Sequence, residues 1–243
     1  MTIDAINSEL EAHYNNYFPI MKIETESSLE KLSVPILMKV DKSYYDPTKP
    51  TIMVFGQEVN VWGDEKFHRY IDIEDNEREA ITSIMNHYQW QLQTLKTKRS
   101  LFIKAFLKVK EELGDKYNIL WNNIYKYSYD GKRTWDYIKG DDYEKILAHQ
   151  QPLMKHELEL FQPVGMIFFT GHGLDKAIEK NLDATISKKR IFENGSVEIE
   201  LKSEFSISQN MKVFRTYHPQ YLARKNNLDS ILEYIKKVFL EES

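Results

Sequence analysis

Four short runs of apolar residues, each followed by a polar or glycine-containing segment, constrain the fold of this chain more than any other feature. The first, Thr51–Phe55, lies between Pro50 and Gly56. A run of this length between chain-breaking residues is typical of a buried parallel strand rather than a helix. The other three runs are Tyr117–Trp121, Val164–Phe169 and Val213–Tyr217. Stretches of helical spacing separate them, and this alternation predicts an α/β domain.

Helical spacing of apolar residues predicts the elements that cover the sheet. Ser100 is suited to begin one helix and Gly114 to end it, while Pro35 should end or kink another. An alternating segment, Arg190–Leu201, surrounds Asn194-Gly195 and predicts an antiparallel hairpin. The predicted helices cover Ile3–Tyr14, Ser27–Met38, Glu77–Leu95, Ser100–Leu113, Asp142–Phe161, Leu174–Asn181 and Leu228–Leu240.

Composition sets broad limits on the class of protein. No internal repeat or low-complexity linker divides the 243 residues, so we expect one domain, with residues 1–49 as an N-terminal helical extension packed on it. The absence of cysteine removes disulfide and thiolate chemistry and is compatible with a cytoplasmic protein. Neither an export signal nor a run of about 18 apolar residues occurs, so we expect no membrane association.

The net charge of −4 argues against a protein that coats DNA, because counterion release requires a positive surface. The net charge does not exclude a positive surface on one part of the protein. One acid-free stretch, 212–225, surrounds His218 and is either a nucleic-acid contact or a chance cluster on a solvated surface. Its cations are Lys212, Arg215, Arg224 and Lys225. A second basic group, between Lys96 and Lys110, is interpreted as one face of a helix.

Several familiar sites are excluded. Gly171-His172-Gly173 lacks the third glycine of a dinucleotide fingerprint, and no lysine-containing phosphate loop occurs. The seven histidines are scattered without a metal-binding spacing, and no serine-hydrolase elbow is present. We therefore expect no cofactor and no metal ion.

Polar motifs follow the four predicted strands in a definite order. They are Gly56-Gln57-Glu58, Asn123-Ile-Tyr-Lys126, Gly171 and His218-Pro219. This order resembles the uracil-DNA glycosylase superfamily over roughly residues 50–240. In that superfamily the first loop is commonly Gly-Gln-Asp-Pro-Tyr or Gly-Glu-Ala-Pro-Gly, the second strand ends in a base-recognising Asn, often as Asn-x-x-Lys, and the last motif is His-Pro-Ser. The first loop here departs from both versions, with Glu58, Val59 and Asn60 at the positions of Asp, Pro and Tyr.

The resemblance implies a three-layer α/β/α fold with a central, mainly parallel four-stranded sheet, beside which the hairpin is a small antiparallel addition. It also implies a monomeric enzyme that hydrolyses the N-glycosidic bond of uracil or another altered base in single- or double-stranded DNA. Such a reaction passes through an oxocarbenium-like sugar, so it needs a carboxylate near the cation and a donor near the departing base. Glu58 and His218 are the catalytic candidates, and Asn123 is the candidate for recognising the base edge.

The resemblance also implies further contacts and leaves alternatives. Gln57 stands where the second loop version has Glu, in which case Glu58 only caps or pairs within the loop. The stacking ring is assigned to Phe67, with Tyr70 and Trp62 as alternatives. The expected substrate-binding residues are Gly56, Gln57, Asn60, Phe67, Asn123, Pro219 and Gln220, and the expected DNA contacts are Lys126, Tyr221, Leu222 and Arg224. The alternative functions are a catalytically silent nucleic-acid or nucleobase binder and an interaction protein of the same fold.

Overall fold

A computed structural model describes residues 1–21, 31–58, 62–63, 66–73, 76–132, 138, 140–191, 196–203 and 211–240. The helices are α1 (Ile3–Met21), α2 (Glu77–Thr94), α3 (Leu101–Leu113), α4 (Gly140–Phe161), α5 (Asp175–Leu182), α6 (Pro219–Arg224) and α7 (Leu228–Leu240). The strands are β1 (Thr51–Glu58), β2 (Asn118–Tyr125), β3 (Gly165–Phe169), β4 (Ala184–Ile191), β5 (Val197–Ser203) and β6 (Lys212–Thr216). Short 3-10 turns cover Tyr70–Ile73, Leu95–Thr97 and His172–Leu174.

The six described strands form one mixed sheet in the order β2-β1-β3-β6-β5-β4. The pairings of β2 with β1, β1 with β3 and β3 with β6 are parallel, whereas β6–β5 and β5–β4 are antiparallel. The predicted α/β class is confirmed. The predicted antiparallel hairpin is present as β4 and β5, and it joins the main sheet, because β5 pairs with β6 and extends the sheet to six strands. This pairing satisfies backbone groups that β6 would otherwise expose at a sheet edge. The predicted turn at Asn194-Gly195 lies outside the described residues.

One predicted helix is not present in the part of the chain that the structure describes. Residues 32–38 of the predicted Ser27–Met38 helix are extended, and residues 27–30 lie outside the described ranges. The Ser33 amide donates to the Ser128 carbonyl and the Ile36 amide to the Lys126 carbonyl, both at 2.8 Å. Pro35 has no amide hydrogen and cannot form a helical hydrogen bond, so pairing with the chain after β2 satisfies this segment better.

The described residues before position 50 pack on the rest of the domain and contribute to its core. Helix α1 packs against α4 and α2, with Leu10 and Tyr14 fully buried. The extended segment that follows buries Val34, Ile36 and Met38 completely. The N-terminal region therefore closes one face of the central sheet.

Side-chain alternation assigns the two faces of the sheet. Asn122 of β2 contacts Glu157 of α4, whereas its neighbour Asn123 lies on the face of Trp121 and Phe102, the latter in α3. Helix α3 packs against α6 and α7, and α4 packs against α1 and α5. No described helix has the apolar stretch needed to cross a bilayer.

Candidate functional site

The carboxyl ends of β1 and β3 meet where the order of the sheet reverses, since β2 lies on one side of β1 and β3 on the other. Ligands of open α/β sheets bind at such points. In register, Phe55 of β1 pairs with Phe168 of β3, which pairs with Arg215 of β6. Glu58 ends β1 and His218 follows β6, and β3 lies between these two strands, which are therefore two strand spacings or about 10 Å apart along the sheet edge.

Two hydrogen bonds to backbone carbonyls hold the strand ends of this edge together. The Gln57 side-chain amide donates to the Thr170 carbonyl at 3.0 Å, which ties the end of β1 to the end of β3. The Gly171 amide donates to the Thr216 carbonyl at 2.8 Å, which ties β3 to β6. The Gln57 amide group therefore fixes the end of β1 against the end of β3.

Gly56 is required by the close approach of Asn123, its partner in the β1–β2 register. A Cβ atom at Gly56 would lie 2.3 Å from Asn123 Oδ1 and 3.1 Å from the Phe102 ring. Both contacts are shorter than ordinary van der Waals separation. A side chain at this position would displace the amide of Asn123.

Asn123 is 1% exposed and has one unused donor group. The Trp121 indole N–H donates to Asn123 Oδ1 at 3.1 Å, which orients the amide because the indole needs an acceptor. The Asn123 Nδ2 group has no hydrogen-bond partner among the described residues. A buried donor without a partner costs about 1–3 kcal/mol, so this amide is prepared for an acceptor atom.

Glu58 lies at the end of β1, half-buried, in register with Tyr125 of β2. Alternation from Gly56 puts its side chain on the face of Asn123. The Tyr125 and Tyr143 hydroxyls are 2.6 Å apart. Burial, the Tyr143 hydrogen bond and then the charge of Glu58 raise the pKa of Tyr125, so the Glu58 carboxylate acts on this tyrosine pair.

His218 begins helix α6 and caps it. Its Nδ1 accepts a hydrogen bond from the Gln220 amide at 3.3 Å, so the neutral ring carries its proton on Nε2. Pro219 occupies the first helical turn, where its missing amide hydrogen costs nothing, and its side chain is buried. The His-Pro motif thus builds a helix start in which Nδ1 accepts from the backbone and Nε2 carries the proton.

An aromatic group lies beside His218, and only Tyr221 of its three residues was predicted, as a DNA contact. The Tyr217 and Tyr221 rings have centroids 4.8 Å apart, and His172 meets Tyr217 edge-on at 5.9 Å. Tyr221 is 46% exposed, and Gln220 and Arg224 on the same helix are exposed as well. In the sequence, Tyr217 and His172 are indicated by their position next to the motif residues His218 and Gly171.

The structure corrects the expected DNA contact at Lys126. This side chain is fully buried, and its ammonium lies 2.7 Å from both carboxylate oxygens of Glu157. It also donates to the Ile36 carbonyl and to Asn122. Burial lowers the pKa of Lys126 and the Glu157 carboxylate opposes that shift. Lys126 belongs to the α4 face and cannot meet a DNA phosphate.

Two other predicted contacts are buried, and one is outside the described part of the chain. Leu222 is 1% exposed and packs in the core, so its side chain does not contact DNA as expected. Phe67 is 2% exposed and covered by the Lys66 ammonium 5.0 Å from its ring centroid, so it does not present a face to a base. Asn60 lies outside the described residues.

Neither the family models nor the curated proteins that we compared with the chain include a match. Within the described ranges, no group of three histidine, aspartate or glutamate side chains is arranged to hold a metal ion. Any functional assignment must therefore come from the geometry of this sheet edge.

Proposed function

We propose that this chain is a DNA glycosylase of the uracil-DNA glycosylase type, with a three-layer α/β/α fold around the parallel part of its sheet. The observation that carries the proposal is the buried Asn123 amide, oriented by Trp121 and left with a free donor directly over Gly56. A free N–H donor suits a carbonyl oxygen at the edge of a base. The expected substrate is therefore an oxo-base such as uracil or hypoxanthine in DNA.

The chemistry divides between the two ends of the cleft. In this proposal Glu58 stabilises the cationic sugar or orients the attacking water, because a carboxylate at the strand end is well placed for developing positive charge. His218 donates from Nε2 to the departing base, since Nδ1 is held by the Gln220 amide. The separation of about 10 Å between the two backbones leaves room for a nucleoside between the side chains.

The aromatic group beside His218 supports a nucleic-acid substrate. Base excision from DNA requires that the base leave the helical stack, and aromatic side chains stabilise unstacked bases. Tyr221 is exposed and is backed by Tyr217, so it offers a ring at the entrance to the cleft. Arg224, one turn further along α6, adds a positive charge that suits a phosphate.

A direct test incubates the protein with oligonucleotides that carry one uracil or one hypoxanthine, in single- and double-stranded form, and detects abasic sites by alkaline cleavage. We expect cleavage by the wild type and a loss of about 100-fold or more for Glu58→Gln. His218→Asn is the matched change at the other end, because Asn can still cap α6 while the imidazole donor is lost. Glu9→Gln, an exposed change on α1, is the control. Cleavage unaffected by Glu58→Gln would refute the catalytic role.

A second candidate function is a nucleic-acid or nucleobase binder without hydrolysis. The position of Glu58 favours it, because this residue is in register with Tyr125, whose hydroxyl lies 2.6 Å from that of the half-buried Tyr143, and its side chain is one methylene longer than aspartate. Catalytic geometry tolerates displacements of only about 1 Å. Binding of lesion-containing oligonucleotides without any abasic product, unchanged in Glu58→Gln, would select this candidate.

A further inference from the structure

Trp90 is a large aromatic residue that the fold leaves exposed. It lies near the end of α2 with 49% of its surface accessible, whereas Trp62 and Trp121 are buried. The Lys98 ammonium lies 4.8 Å from the Trp90 ring centroid. A lysine over one part of an exposed indole forms a surface that combines a stacking face with a positive charge.

The chain around Trp90 is basic and contains no acid. From Ala80 to Lys110 there is no aspartate or glutamate, although the whole chain has 37 acidic residues. Lys96, Arg99 and Lys104 are exposed, and none of them forms an ion pair with another described residue. These cations are therefore available to an anionic partner.

Aromatic contacts connect Trp90 with the candidate site. Trp121, which orients Asn123, meets Trp62 edge-on at 5.6 Å, and Trp62 meets His87 edge-on at 4.9 Å. His87 lies 5.4 Å from Trp90. The basic segment leads directly into α3, whose Phe102 packs on Trp121 beside Gly56. This series of ring contacts connects the exposed indole with Trp121, the residue that orients Asn123 at the sheet edge.

We infer that Trp90, with Lys98, Arg99 and Lys104, forms a second binding surface for a single-stranded segment of nucleic acid that flanks the base in the cleft. This inference rests on the proposed function for the identity of the cleft. An unpaired base stacks on the Trp90 indole, and the neighbouring cations contact the phosphates on either side of it. These four residues are termed the Trp90 surface.

A single strand is the partner that this chemistry favours. A base pair within a duplex keeps its faces stacked, so an exposed indole gains nothing from it, whereas each unpaired base offers a free face. Apolar protein interfaces need several apolar side chains, and the residues one turn from Trp90 on α2 are polar: Asn86, His87, Gln93 and Thr94. Cations on either side of a stacking ring match the alternation of phosphates and bases along a single strand.

The test measures binding of a lesion-free oligothymidylate of about twelve nucleotides by fluorescence anisotropy, with the full chain. We expect Trp90→Ala to weaken binding by about tenfold, Trp90→Phe to weaken it less because a ring remains, and Ile191→Ala, another exposed apolar residue, to change nothing. Trp90 is half exposed, so its variants should keep the thermal midpoint of the wild type, and that midpoint is measured for each.

Salt dependence tests the charged part of the surface. The slope of log affinity against log salt should become shallower by about 0.7 for each phosphate contact removed in Arg99→Gln and Lys104→Gln. Lys116→Gln, an exposed change just before β2 and at the opposite edge of the sheet, is the charge control and should leave the slope unchanged.

The outcomes separate this inference from the proposed function. Wild-type affinity in Trp90→Ala, or no binding of the oligothymidylate by the wild type, overturns the Trp90 surface, even if a uracil-containing oligonucleotide is cleaved. A preference for a duplex also overturns it. Binding that depends on Trp90, together with no cleavage of any lesion, retains the Trp90 surface and refutes the glycosylase.

Discussion

Replacement of Gly56 by alanine tests the geometry on which the candidate site depends. The new Cβ would lie 2.3 Å from Asn123 Oδ1, about 1 Å inside ordinary contact, and 3.1 Å from the Phe102 ring. Asn123 must then move and give up the hydrogen bond from the Trp121 indole, which leaves a buried donor unpaired at about 1–3 kcal/mol. Crowding of the strand pair adds a similar cost, offset in part by the better strand propensity of alanine.

We therefore expect Gly56→Ala to destabilise the protein by about 2–4 kcal/mol, which lowers the thermal midpoint by roughly 5–10 °C in a chain of this size. Base excision should fall by about 100-fold at temperatures where the variant stays folded, because Asn123 is displaced by about 1 Å. Differential scanning calorimetry and the abasic-site assay measure the two effects separately.

Gly173→Ala is the matched control for this experiment. Gly173 lies at the same sheet edge, and a Cβ there has no atom within 4 Å. Its thermal midpoint and activity should equal those of the wild type. In a background of Asn123→Ala the same glycine replacement should cost much less stability than in the wild type, since only the 3.1 Å contact with the Phe102 ring remains. Wild-type stability and activity in Gly56→Ala would refute the reasoning.

Three further predictions concern groups outside that contact. Lys126→Met should destabilise the fold by about 3–5 kcal/mol in urea unfolding, because the buried Glu157 carboxyl group loses its cationic partner, and adding Glu157→Leu should restore part of the loss. Burial lowers the pKa of His149 from 6.5 to about 4, so the unfolded chain binds a proton more readily than the folded one. The free energy of unfolding should therefore fall by up to about 3 kcal/mol as the pH drops from 6.5 to 4. His149→Gln should reduce this pH dependence in urea titrations. Tyr221→Ala should weaken binding of a uracil-containing oligonucleotide by about tenfold with an unchanged thermal midpoint, and equal affinity would exclude Tyr221 from the entrance.

The central elements were predictable because their sequence periods are unambiguous. The apolar run Thr51–Phe55 begins β1, and Leu228–Leu240 has the bounds of α7. The extended segment after residue 31 was missed, although Leu32, Val34, Ile36, Met38 and Val40 alternate with the period of a strand. The intervening Leu37 favoured a helical interpretation, whereas in the structure this segment pairs with the chain after β2 and with residues 68–70.

The candidate site shows a similar limit. The sequence placed Asn123 and Lys126 together as the two ends of one motif, with the strand ending at Trp121. Strand β2 in fact continues to Tyr125, and residues three apart in a strand point to opposite faces. Lys126 is therefore directed to Glu157 under α4 while Asn123 faces α3. Where a strand ends decides which side chains share a cleft, and strand ends are poorly specified by local sequence.

The buried contact between Tyr14 and Glu157 has a consequence for synthesis of the chain. The Tyr14 hydroxyl donates to Glu157 at 2.7 Å across a separation of 143 residues. At typical elongation rates, helix α1 waits on the order of 10 s after leaving the ribosome before its partner helix has been made. During that interval the side of α1 that packs on α4 has no native cover, so α1 is among the last described elements to complete its native contacts.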